Sequence, residues 1–287
     1  LIELRTGTLS LELLPEIGGS IGEFRLGGKP LLRPTTADAV ASIGARGCAS
    51  YPLVPYSNRL ANNRFSFAGR SYDLPPSLNG QAIHGVGWRH PWQVVSASPT
   101  TATIAYEHAP DADWPFAFRA EQWFMLDEHG LSCRFAATNL APHPAPMGFG
   151  PHPFFARPPG TTLRFAAECV WLQDDRKIPT SAIAVPPEWD FSAGRALDGV
   201  ALDHCFSNWG CQASIELPYA RIDLSAGALF RHLIVFIPEG RDFFAVEPVT
   251  NLTDGLNRMD SEPMSNIVML QPQQRVEAGF RLTVTAR

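Results

Sequence analysis

The chain has 287 residues, 45% of them hydrophobic, with 26 prolines, 23 glycines and a formal net charge of −5. That size supports a sizeable core, and the acidic balance argues against a nucleic-acid surface built on phosphate neutralisation. No apolar run approaches the ~18 residues of a membrane span, so no membrane partner is expected.

The N-terminal stretch lacks the basic and apolar regions of a signal peptide. Cys48, Cys133, Cys169, Cys205 and Cys211 form no CxxC pair. Reduced thiols in a cytoplasmic protein are the simplest expectation.

Short alternating runs begin at once. TLSLELL puts Leu9, Leu11 and Leu13 on one face at the strand period of two. SIGEFRL leads into Gly27-Gly28, a hairpin signal. TTADAVASIG predicts a short helix. RFSFAGRSYDL alternates Phe65 and Phe67 and turns at Ala68-Gly69. RAEQWFML turns at DEHG and returns as LSCRFAATNL, with Leu131, Cys133, Phe135 and Ala137 sharing a face. TTLRFAAECVWL, ASIELPYARIDLSA, HLIVFIP, FFAVEPV and FRLTVTA continue the pattern, and SEPMSN predicts one turn. The many prolines oppose a helical bundle, where each interior proline costs about 3 kcal/mol. The prediction is a mainly β chain, one large antiparallel domain over residues 1–287 with few short helices.

Five segments break this pattern with polar groups. YPLVPYSNRLANNRF joins a proline-broken apolar run to Ser57, Asn58, Arg59, Asn62, Asn63 and Arg64. NGQAIHGVGWRHPW carries His84, and PMGFGPHPFFARP fixes His152 between two prolines. ALDHCFSNWG carries Asp203, His204 and Trp209, and FFAVEPVTNLTDGLN sets Glu247 at the end of an apolar run. A carboxylate there is costly unless paired, hydrogen-bonded or in a cleft. A fixed histidine suits proton transfer near neutral pH. Trp88, Trp92 and Trp209 suit either the core or the faces of a sugar ring.

Each segment also has a plainer reading: a solvent-facing glutamate, turn histidines, a structural salt bridge for Arg59. His84, His152, Asp203 and Glu247 could instead be metal ligands, but no HExxH or close ligand pair supports it, and no metal is expected. No GxSxG elbow, P-loop or GxGxxG loop is present.

Taken in order, PYSNRLANNRFSFAGRSYDL, NGQAIHG, GFGPHPFF, LDHCFSNW and VEPVTNLTDGLN resemble the aldose 1-epimerase (galactose mutarotase) family, in particular its compact bacterial members. The resemblance implies a large antiparallel β-sandwich, the galactose mutarotase-like supersandwich. It implies interconversion of α and β anomers of an aldohexose of the glucose or galactose type, with no cofactor.

It further implies roles for residues. Glu247 would be the general base, His152 the general acid, and His84 an assistant at the ring oxygen or nearby hydroxyls. Arg59, Asn58 and Asp203 would bind sugar hydroxyls, and Trp209 is added as a substrate-facing aromatic. Two places depart from the best-known galactose mutarotases: Pro153-Phe154-Phe155 after the second histidine and Glu247-Pro248-Val249 around the glutamate. These leave the acid–base pair intact and put galactose itself in question.

The expected partner is a small sugar, and the expected assembly a monomer or homodimer. One rival is a hexose-6-phosphate 1-epimerase, with Arg89, Arg157 and Lys177 as candidate phosphate ligands. A second is a non-catalytic carbohydrate-binding protein on the same fold. A third is a related β-sandwich lyase or hydrolase, for which the chain looks too short.

Overall fold

In the computed structural model, which describes Leu1–Arg287, the alternating runs pair as antiparallel strands. Leu9, Leu11 and Leu13 are buried along Leu9–Leu14, which pairs with Ile2–Thr6 and Ser20–Leu26. The hairpin at Ala68-Gly69 joins Arg64–Phe67 to Arg70–Asp73. The long hairpin Phe118–Asp127 and Gly130–Asn139 forms across DEHG, with Leu131, Cys133, Phe135 and Ala137 buried. The predicted helix is Ala37–Ile43, whose N-cap Thr36 accepts from the Ala39 amide; none of its residues is buried. The turn in SEPMSN is a 3-10 turn at Pro263–Ser265.

Two large sheets stack to form the sandwich. One has nine strands and runs from Arg195–Ala196 at one edge to Gln93–Ala97 at the other. The other has six, in the spatial order Phe154–Ala156, Phe243–Val249, His232–Ile237, Leu202–Ser207, Cys169–Gln173, Pro179–Ala184. Apolar side chains from the facing sides interdigitate in one core, as with Phe165 of the nine-stranded sheet, whose ring lies 5.0 Å from that of Phe206 in the six-stranded sheet.

The run TTLRFAAECVWL is not one strand. Thr162–Phe165 joins the nine-stranded sheet and Cys169–Gln173 the six-stranded one. Leu163 and Phe165 alternate into the core, but Cys169–Gln173 buries neighbours on both faces, Val170 and Trp171, so the run stays apolar across the crossing and nothing in its pattern marks a change of sheet.

The six-stranded sheet is apolar on both faces. Leu202, Phe206, Leu233, Val235, Phe244 and Val246 point into the sandwich core. The intervening residues Trp171, Cys205, Ile234, Ala245 and Val249 form a second, smaller cluster with Tyr51, Trp88 and Phe154. That second face carries the polar groups of interest.

Candidate active site

The strand Phe243–Val249 explains where Glu247 comes to lie. Phe244 and Val246 are core residues, so period two sends Ala245 and Glu247 to the opposite face. Glu247 is therefore inside a strand rather than at its end, opposite Ile234, which in turn faces Cys205. One step along the same ladder, Ala245 lies beside Phe236, and Phe236 beside Asp203. Asp203 and Glu247 thus share a face by register alone.

His152 reaches Glu247 from outside this sheet. Its backbone N–H donates to the Tyr51 carbonyl at 2.9 Å, and its ring lies between Tyr51 (centroids 4.7 Å apart) and Phe154 (4.4 Å). Its Nε2 is 3.2 Å from Oε1 of Glu247. Both side chains are almost fully buried, and Nδ1 of His152 and Oε2 of Glu247 have no partner within the protein. Burial lifts the Glu247 carboxyl well above its usual range, reinforced by the Asp203 charge. Burial also depresses His152 to about 3, with the Arg33 and Arg59 charges adding to the effect. Each group alone resists its charged form, and at this separation the two titrate as a coupled pair.

The polar knot of YPLVPYSNRLANNRF has two jobs. Asn58 and His84 clasp each other: the Asn58 N–H donates to His84 Nδ1 at 3.0 Å, and the His84 N–H donates to the Asn58 carbonyl at 2.9 Å. This fixes the ring proton of His84 on Nε2, where it is a free donor. Burial holds His84 well below its ordinary pKa, so the ring stays neutral. Its centroid is 5.3 Å from that of His152. Gly85 allows this placement: its φ is +65°, and a Cβ there would meet the Val54 carbonyl oxygen at 2.2 Å.

Asn58 Oδ1 accepts from the Arg59 amide and from Nη1, while Arg59 Nε donates to Gln81 Oε1 at 3.1 Å. Arg59 makes no salt bridge, so the structural ion pair weighed for it is absent, and its charge bears on both His152 and Glu247.

The second job is anchorage. Asn251 Oδ1 accepts from the Ser57 amide, and its Nδ2 donates to the carbonyls of Ser57 and Leu252. Asp254 Oδ1 accepts from the Ala61 amide, and its own N–H donates to the Arg59 carbonyl. The segment after Glu247 therefore staples the loop that carries Asn58 and Arg59.

A sequence profile of the aldose 1-epimerase family matches residues 1–283. The chain belongs to the aldose 1-epimerase family. The Escherichia coli K12 protein YphB is 30% identical over 293 residues, spanning 98% of this chain and 97% of its own. The crystal structure of a candidate aldose 1-epimerase from Escherichia coli K12 superposes with a TM-score of 0.90 at 28% identity, covering 100% of this chain and 99% of its own. A galactose mutarotase-like protein from Clostridium acetobutylicum gives 0.88 at 17% identity, covering 99% and 95%, a likeness of fold. The large antiparallel sandwich is the galactose mutarotase-like fold.

Within this member of the family, Asp203 sits at the site's edge, its Oδ2 3.9 Å from Lys177 Nζ. Trp209 is a correction. It is 1% exposed in the main core, and its indole N–H donates to the Phe230 carbonyl at 2.8 Å, so no face is left for a sugar. Trp88 and Trp171 line the site's apolar cluster instead.

Two of the proposed phosphate ligands are occupied elsewhere. Arg89 pairs with Asp113 at 3.1 Å, and Arg157 binds the carbonyls of Pro238, Leu197 and Val200. The residues missed by sequence reasoning are Tyr51, Trp171, Gln81, Asn251 and Asp254. Asn251 and Asp254 lie inside a quoted motif, whose order was visible but whose partner loop was not. No helix is long and apolar enough to cross a membrane.

Proposed function

We propose that this protein interconverts the α and β anomers of an aldohexose by general acid–base catalysis. The observation that carries this reading is the 3.2 Å contact between His152 Nε2 and Glu247 Oε1, an acid–base pair enclosed so that burial opposes the charged form of each. Anomerisation needs that inventory. A base removes the proton from the C1 hydroxyl while an acid protonates the ring oxygen. The two oxygens share one carbon, so acid and base must be neighbours.

With sugar between them, Glu247 takes the O1 proton, His152 delivers its own to the ring oxygen, and the C1–O5 bond breaks to give the aldehyde. Rotation about C1–C2 and the reverse transfers close the ring on the other face. His84, neutral with its proton on Nε2, donates a hydrogen bond toward the reacting oxygens. Arg59 and Asp203 hold hydroxyls. Positioned proton transfer contributes roughly 10²–10⁴-fold, and the remainder comes from holding the sugar against Tyr51, Trp88 and Phe154.

The test is polarimetry of freshly dissolved α-D-glucose and α-D-galactose. Acceleration that saturates with sugar concentration is the expected result. No acceleration with any aldose, neutral or charged, would overturn the reading and leave a sugar-binding protein on this fold.

The coupled pair also sets the pH dependence. The pair keeps one proton between the depressed titration of His152, about 3, and the raised titration of Glu247. Activity is therefore expected to persist from neutral into mildly acidic pH and to fall as pH rises through the pair's upper titration. A kcat/KM profile that instead fell with acidification around the ordinary histidine pKa, in protein shown to be folded, would mean that His152 titrates freely.

A further inference from the structure

The turn at residues 174–178 is tied to both of the groups proposed to hold sugar hydroxyls. It joins the strands Cys169–Gln173 and Pro179–Ala184 at one edge of the six-stranded sheet. On one side, the Arg176 carbonyl accepts from Gln81 Nε2 at 2.9 Å, and Gln81 Oε1 accepts from Arg59 Nε at 3.1 Å. On the other, Gln173 Nε2 donates to the Asp203 carbonyl at 2.5 Å, and Lys177 Nζ stands 3.9 Å from Asp203 Oδ2. Asp203 shares the face that carries Glu247, and its charge bears on that carboxyl. The turn therefore borders the site between Arg59 and Asp203.

Lys177 occupies a sterically costly position in this turn. Its φ is +65°, in the left-handed region that the chain otherwise fills mainly with glycine and asparagine. The backbone is held there. The Lys177 N–H donates to the Asp174 carbonyl, and Asp174 Oδ1 accepts from the amides of Arg176 and Ile178, all at 2.9 Å. Glycine would serve such a turn without steric cost. What a lysine adds is its side chain, and the one ion pair of that side chain is with Asp203.

The ammonium and the carboxylate are close enough to attract and too far apart to hydrogen-bond. Neither charged group makes a hydrogen bond within the protein, and both side chains are partly exposed, 43% and 25%. A hydroxyl suits the two together: its proton goes to the carboxylate while its oxygen accepts from the ammonium. We propose that Lys177 is a specificity-determining residue, donating to a sugar hydroxyl from which Asp203 accepts. This rests on the epimerase reading above and adds a contact to it. Glu247 and His152 serve C1 and the ring oxygen, so Lys177 acts on binding rather than on proton transfer.

The experiment uses D-glucose or D-galactose, whichever is anomerised faster, with its 6-phosphate and its analogues lacking the hydroxyl at C2, C3, C4 or C6. Wild type, Lys177→Gly and Lys177→Arg are compared by polarimetry, calorimetric binding and thermal melts. Wild type is expected to lose about tenfold or more in kcat/KM on one analogue. Lys177→Gly is expected to raise KM for the parent sugar by about tenfold with kcat little changed, and to shrink the penalty for that one analogue. Coupling between one residue and one hydroxyl is what a direct contact gives. Lys177→Arg is expected to keep part of it. The thermal midpoint of Lys177→Gly is expected to stay level or rise, since glycine suits this φ.

An unchanged KM in Lys177→Gly would overturn the proposal. So would an equal loss on every analogue, the mark of a disturbed turn. A 6-phosphate turned over better than its parent sugar, with the advantage lost in Lys177→Gly, would also overturn it and make Lys177 a phosphate ligand. If no sugar is anomerised, the epimerase reading fails, and binding alone decides the contact. Weaker binding of the parent sugar in Lys177→Gly, with one analogue indifferent to the substitution, would sustain it. Equal binding by both proteins, or no binding at all, would end it.

Discussion

Glu247→Gln is expected to reduce kcat by about 10²–10⁴-fold while the thermal midpoint stays level or rises. The amide keeps the volume of the side chain but cannot take a proton. It also removes the group that shares a proton with His152, whose ring is held neutral by burial. On the proposed mechanism, one substitution therefore deletes the base directly and the acid by default.

His152→Asn takes away the acid but leaves a carboxyl that burial keeps protonated more readily than usual. The double variant is expected to be little worse than Glu247→Gln alone, because the two residues act as a unit. The stability arm separates this from a structural role. A buried carboxyl whose pKa is raised must take up a proton to fold once pH exceeds its unfolded value, and a neutral isostere does not carry that cost. Polarimetry gives kcat and a thermal melt gives the midpoint. Undiminished kcat would remove Glu247 from the chemistry, and a marked fall in midpoint would make it a structural residue.

The parts of the fold that were legible in the sequence are those where a local rule is enough. TLSLELL, RFSFAGRSYDL and the DEHG hairpin combine a period of two with a turn, and both signals lie within a few residues of each other. The fate of TTLRFAAECVWL was hidden because its second strand is apolar on both faces, with Val170 and Trp171 side by side, so the apolar run continues where the chain changes sheet. Glu247 was placed at a strand end because charges usually close strands. It continues the strand here because the second face of the six-stranded sheet meets His152 instead of core.

Trp209 shows the reverse error. Its place beside Asp203 and His204 suits an aromatic that faces a sugar, yet an indole in the core needs only one acceptor, and the Phe230 carbonyl provides it. The gathering of Tyr51, His84, His152 and Glu247 comes from four distant segments, which no periodicity predicts. The ordered motifs carried that information only through resemblance.

Asn251→Ala is expected to cost about 3–4 kcal/mol of stability and to weaken sugar binding together with it. The side chain satisfies three buried backbone groups: the Ser57 amide, the Ser57 carbonyl and the Leu252 carbonyl. Alanine leaves the Ser57 amide and carbonyl without partners, while the Leu252 carbonyl keeps the Gly255 amide, and it opens space that a bare Gly148 cannot fill, since the Asn251 amide occupies the position of a Gly148 Cβ. The neighbouring Asn58 sets the tautomer of His84 and steadies Arg59. Loosening Ser57 thus reaches the site without touching it, and KM is expected to rise while any remaining kcat keeps its pH dependence.

Asn251→Asp sharpens the test. It retains the acceptor for the Ser57 amide but loses both donors and buries a charge, so it is expected to be no more stable than alanine. Urea unfolding measures the first effect and polarimetry the second. Asn251→Ala with near wild-type stability would mean that the loop is held mainly by Asp254, through the Ala61 amide and the Arg59 carbonyl. A stability loss with unchanged KM would separate the anchor from the site it borders.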